Sequence, residues 1–111
     1  MKMPEPPAKY QEFQDRHPDV GSAYERLGEA ATSAGPLDRK SVQLVRLGVA
    51  IGMQHEGATH AHARKALASG VTPDELRHAA VLAVTTLGFP SMMAAYTWVE
   101  DTIAEHPQAD N

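Results

Sequence analysis

A chain of 111 residues has room for one hydrophobic core and no second, independently folding one. It contains no cysteine, which removes disulfides, thiolate metal ligands, iron–sulfur clusters and every cysteine-based redox cycle, thiol peroxidase chemistry included. Ten basic against fourteen acidic residues give a net charge of -4, which does not favour a nucleic-acid or anionic-membrane binder, and no apolar run reaches a membrane span or forms a secretion leader, so a cytoplasmic, non-membrane protein is expected.

Residues 1–9, with Pro4, Pro6 and Pro7, read as an arm ahead of a single helical domain over 10–106, and 107–111 as a tail. Tyr10 to Arg16 fits a short helical turn before His17-Pro18. From Asp19 onward, Val20, Ala23, Tyr24, Leu27 and Ala31 recur every three or four residues. That spacing predicts an amphipathic helix closing one side of the core and ending near Gly35-Pro36.

Asp38 is placed to cap a second helix, with Val42, Val45, Val49 and Met53 on one face and Leu44, Leu47 and Ile51 on another. A break is expected over His55 to Ala58, with the helix resuming from Thr59 to Ser69 and stopping at Gly70. Thr72-Pro73-Asp74-Glu75 is a helix start in which Thr72 caps, Pro73 needs no N–H partner and Glu75 completes a capping box. The helix that follows carries Leu76, Ala79, Ala80, Ala83 and Leu87. Gly88-Phe89-Pro90 interrupts it, and Ser91 to Glu105 forms the last helix, containing Met92, Ala95, Tyr96, Val99 and Ile103.

No two-residue alternation is sustained, so the expected fold is all-α, a compact antiparallel helical domain of six helices at most. Alanine occurs 18 times, and each alanine buries little area. Several separate apolar faces then call for a second subunit, and a homo-oligomer formed partly by the last two helices is expected.

Chemistry-bearing residues gather in the middle of the chain. Between Pro36 and Ser69, Arg39, Lys40, Arg46, Arg64 and Lys65 stand against Asp38 and Glu56, a local balance of +3 that either solvates helix faces or surrounds an anionic small molecule. His62 is the leading candidate for proton transfer because imidazole titrates near neutrality. His55, seven residues earlier, would lie about 20° away around a straight helix. The alternative for either is a capping or core-edge histidine.

Glu56 and His60, four residues apart, can form an acid/base pair or a structural ion pair. His55, Glu56, His60 and His62 together raise the question of a metal. However, His60 and His62 diverge by about 200° on one helix, so no metal and no cofactor is expected. Arg39 and Arg46 can each hold a carboxylate through two parallel hydrogen bonds, or cover apolar surface with their stems. His78, Phe89, Met92, Tyr96 and Trp98 read as packing and subunit-contact residues.

The run His62-Ala63-Arg64-Lys65-Ala66-Leu67-Ala68-Ser69-Gly70-Val71-Thr72, followed by Asp74-Glu75-Leu76-Arg77, resembles the core of carboxymuconolactone decarboxylases and the related alkylhydroperoxidase D-like proteins. Ala83, Gly88, Pro90 and the helix from Ser91 to Trp98 continue the resemblance, which spans about Asp38 to Glu105. It implies an alkylhydroperoxidase D-like helical fold. In the peroxidase branch a Cys-x-x-Cys pair precedes a histidine. Aligned on His62, that pair falls on His55 and Ala58, with Gln43 where an upstream glutamate assists.

The redox centre is therefore missing, and the resemblance implies decarboxylase-like, cofactor-independent acid/base processing of a small unsaturated carboxylate or lactone. His62 would handle a proton, with His55, Glu56 or His60 in support and Arg39 or Arg46 holding the carboxylate. A noncatalytic small-ligand or oligomeric interaction protein is the competing expectation, and a metal-dependent variant the third.

Overall fold

The computed structural model describes residues 8–107, so the bulk of the expected arm and the tail beyond Pro107 lie outside the described residues. The described residues are helical and contain no strand. Among the described residues there are seven helices: α1 (Ala8–Arg16), α2 (Pro18–Thr32), α3 (Arg39–Gly52), α4 (Glu56–Ala68), α5 (Pro73–Leu82), α6 (Val84–Leu87) and α7 (Phe89–Glu105). None is long and apolar enough to cross a membrane. Residues 8–38 belong to one compact unit and 39–107 to another.

In the first unit α1 and α2 pack as a hairpin hinged at His17, where Pro18 opens α2 without needing an N–H partner. Gly21 is the buried residue of α2, and a Cβ there would stand 3.0 Å from the Gln14 Cγ. Gln14 also donates to Tyr10 Oη and to Glu25 Oε2, and Tyr10 meets the Tyr24 ring edge-on. Within this unit the expected apolar face of α2 is open: Val20, Tyr24 and Leu27 are all more than half exposed. The helix also ends earlier than expected, at Thr32, where the Ser33 N–H still reaches the Glu29 carbonyl and the Ala34 N–H tightens to the Ala31 carbonyl.

The second unit holds the hydrophobic core. Leu47 and Ile51 of α3, Ala63, Ala66 and Leu67 of α4, Val71, Leu76 and Ala80 of α5, and Ala95 and Val99 of α7 form one buried cluster. Helix α4 packs on α3 and α7, and α5 packs on α7 and α3. Two local devices aim α5. At the end of α4, Val71 N–H reaches the Ala66 carbonyl and Gly70 N–H the Leu67 carbonyl, with Gly70 at φ +95°, a conformation that favours glycine. At the start of α5, Thr72 Oγ1 accepts from Glu75 N–H at 3.1 Å while Glu75 Oε1 accepts from Thr72 N–H at 2.9 Å.

Three boundaries differ from expectation. The break between α3 and α4 falls at Met53–His55 rather than over His55–Ala58, and Gly57 lies inside the first turn of α4. The left-handed residue is Gln54, φ 52°, whose side-chain amide donates to the Ile51 and Ser91 carbonyls at 3.1 Å each, offsetting the strain. The expected helix from Pro73 to Leu87 is divided at Ala83, where the N–H shortens its reach to the Ala80 carbonyl, and this division makes seven helices instead of six. Finally, α7 starts at Phe89 and takes Pro90 into its first turn, where proline is tolerated.

Candidate functional site

The second unit places the candidate residues along the α3–α4 hairpin. A three-residue link, Met53–His55, joins α3 to α4, which pack on each other, and the charge of Arg46 on α3 acts on His62 of α4. His62 is half-buried, and its Nδ1 is fully buried with no hydrogen-bond partner. Burial pushes its pKa below the ordinary 6.5, and the charges of Lys65 and Arg46 push it the same way. The ring therefore stays neutral to lower pH than a solvated histidine and can accept a proton near neutrality.

His55 is not on the α4 helix with His62. It is the N-cap, in extended backbone geometry, and its Nδ1 accepts the Ala58 N–H at 3.0 Å. The 20° relation expected for a continuous helix does not hold. Its ring nitrogen stabilises the helix start in the way an asparagine or serine oxygen would.

Glu56 and His60 do meet across one turn, with Glu56 Oε2 and His60 Nε2 at 3.3 Å. The other nitrogen, Nδ1, is 2.7 Å from Thr102 Oγ1 on α7. Both nitrogens of His60 are thus engaged, and the ring joins α4 to α7. His60 and His62 point to different neighbours, and among the described residues no three His, Asp or Glu side chains come together as a metal-holding group.

Arg39 is exposed at the first residue of α3, whereas Arg46 is half-buried and close enough to act on His62. Sequence reasoning missed Lys65 as the second cation acting on that ring, although its place three residues after His62 on one helix was a usable signal. It also missed Thr102 as the anchor of His60, for which a separation of 42 residues gives no signal.

An open groove of about 580 Å³ runs between α3 and α5–α6, lined by Val45, Gly48 and Gly52 on one side and His78, Leu82 and Leu87 on the other. His62 is not among the residues that line it.

A family model described as the carboxymuconolactone decarboxylase family matches residues 18–101, beginning well before the segment that carries the motif around His62. No curated protein and no solved structure gave a match.

Proposed function

The chain belongs to the carboxymuconolactone decarboxylase family, and from that premise we propose that it performs acid/base processing, decarboxylation or isomerisation, of a small unsaturated carboxylate or lactone. The observation that carries this reading is His62: a half-buried imidazole held below its ordinary pKa by burial and by Lys65 and Arg46. A neutral ring can take a proton from carbon or oxygen, and neighbouring cations favour a carboxylate or a developing enolate. With no cysteine, the chain has no thiol of its own with which to reduce a peroxide. His55 and the Glu56–His60 pair support the site by fixing the start of α4, and Arg46 is better placed than Arg39 to serve the substrate carboxylate.

His62→Ala tests the assignment. Turnover of a small lactone and carboxylate panel, followed by product mass and carbon-dioxide release together, should fall about 10²–10⁴-fold with the circular-dichroism spectrum unchanged. Undiminished turnover would reject the role of His62, and isomerised product without carbon dioxide would select isomerisation over decarboxylation.

A second reading, a noncatalytic ligand-binding or oligomer-forming protein, draws on the groove between α3 and α5–α6 and on the exposed Val45, Val49, Met53, Leu82 and Phe89. Under either reading we propose a homo-oligomer. Light scattering after size separation should give at least twice the 12.0 kDa chain mass, and a monomer at micromolar concentration would reject it.

A further inference from the structure

From His78 to Val99 the chain has 22 residues without a single Asp, Glu, Lys or Arg. A run of that length ordinarily holds about five. Burial does not account for the gap, because Leu82 and Phe89 within it are each 62% exposed.

Helix α3 has the same character across the groove. Val45, Val49 and Met53 follow at one-turn intervals and are more than half exposed. Beside this ridge Gly48 and Gly52 keep the groove wall low, since a Cβ added to either would meet nothing within 4 Å. Glu75 is the one Asp, Glu, Lys or Arg on the lining, and Lys40 neutralises it at 3.3 Å. Val45, Val49, Met53, Leu82 and Phe89 together present roughly 600 Å² of apolar surface, the most that a monomer ordinarily leaves bare, and pairing two such faces hides roughly 1,200 Å², where specific interfaces begin.

We propose that this face of the second unit is covered by the same face of a second copy of the chain, in a two-fold pairing that lays the Val45–Val49–Met53 ridge of each copy into the groove of the other. The inference rests on the homo-oligomer proposed above and names its contact surface.

Three features select a second copy over other occupants. In a two-fold pairing the net charge of a face meets an equal net charge, so a face that binds its own copy has to be close to neutral, as this one is. Each copy must also supply both the ridge and the recess, and α3 carries the two side by side. A small apolar molecule in the groove would leave Val49, Met53 and Phe89, which do not line it, still in water. A charged peptide or nucleic acid would find no opposite charge.

Light scattering of the full chain at micromolar concentrations, after size separation, should give an even multiple of the 12.0 kDa chain mass. Val49→Glu and Leu82→Glu, both at exposed positions, should keep the circular-dichroism spectrum and weaken the pairing by about 30-fold or more, as charges placed in the centre of an interface do. Gly48→Leu has room within its own copy and should weaken the pairing as well, by filling the groove. Leu27→Glu on α2, similarly exposed, should leave the mass unchanged.

An oligomeric parent whose mass survives Val49→Glu, Leu82→Glu and Gly48→Leu would overturn the assignment of this face and leave the homo-oligomer standing. An odd-numbered assembly, or equal dissociation in Leu27→Glu, would overturn it too. A monomeric parent would reject the assignment and the homo-oligomer together, and binding of an apolar dye that Leu82→Glu abolishes would then give the groove to a small ligand. Should one variant fail to fold, the remaining two decide the matter.

Discussion

His60 Nδ1 and Thr102 Oγ1 stand 2.7 Å apart although 42 residues separate them in the chain. Thr102 is fully buried, and its hydroxyl also lies 3.1 Å from the Trp98 carbonyl. A hydroxyl has one proton to give. When it donates to Trp98, the oxygen accepts from His60 Nδ1–H, and satisfying Glu56 at the same time requires a proton on Nε2 as well. The ring can therefore satisfy all three contacts only as imidazolium. In its neutral form one of them is given up, which makes His60 a brace between α4 and α7 rather than an open base.

Replacing Thr102 by Val keeps the shape and removes the hydroxyl. The variant should be less stable by about 1 kcal/mol in urea denaturation, the usual net worth of one hydrogen bond. Turnover should change far less than in His62→Ala. Unchanged stability would mean that the contact to His60 contributes nothing in solution.

His62 should titrate below its ordinary value of 6.5 because burial, Lys65 and Arg46 all disfavour the charged ring. The unfolded chain then takes up the proton first as pH falls. The stability that comes from keeping the ring neutral is complete above about pH 6.5 and is lost progressively below it, toward the folded pKa. Proton NMR titration should find Arg46→Met and Lys65→Met each moving the pKa upward. A shift downward in either variant would contradict the assigned electrostatics.

Arg77 of α5 binds Glu100 of α7 through Nε at 2.9 Å and Nη2 at 3.1 Å, and binds Asp74 through Nη1 at 2.8 Å. The guanidinium, with a further hydrogen bond from Tyr96, holds the Glu100 carboxyl below its ordinary pKa of 4.5. Its contribution is present above that value and fades as the pH falls through the folded pKa. Thermal melts should show the parent losing more stability than Arg77→Met between pH 5 and pH 3. Parallel losses would show that the fork does not couple to folding.

The sequence by itself determined the helical class and the points where backbone hydrogen bonds are satisfied locally. Thr72 with Glu75 and Gly70 with Val71 close their own short loops, so four to six residues suffice to specify each cap. The lack of a thiol likewise needs no structure. Local pattern failed where the decisive partner was distant or the strained residue was atypical. The α3–α4 break uses Gln54, held by the Ser91 carbonyl 37 residues away, in place of the nearby Gly57. The break at Ala83 has no glycine or proline to mark it.

For the site, spacing singled out His62 and paired Glu56 with His60, because neighbours on one helix are fixed by its turn. Only the tertiary structure made His55 a cap, tied His60 to Thr102 and buried one edge of His62 beside Arg46. Burial and electric field at a ring depend on which other helices pack against it, and that is set by the whole core rather than by the residues on either side.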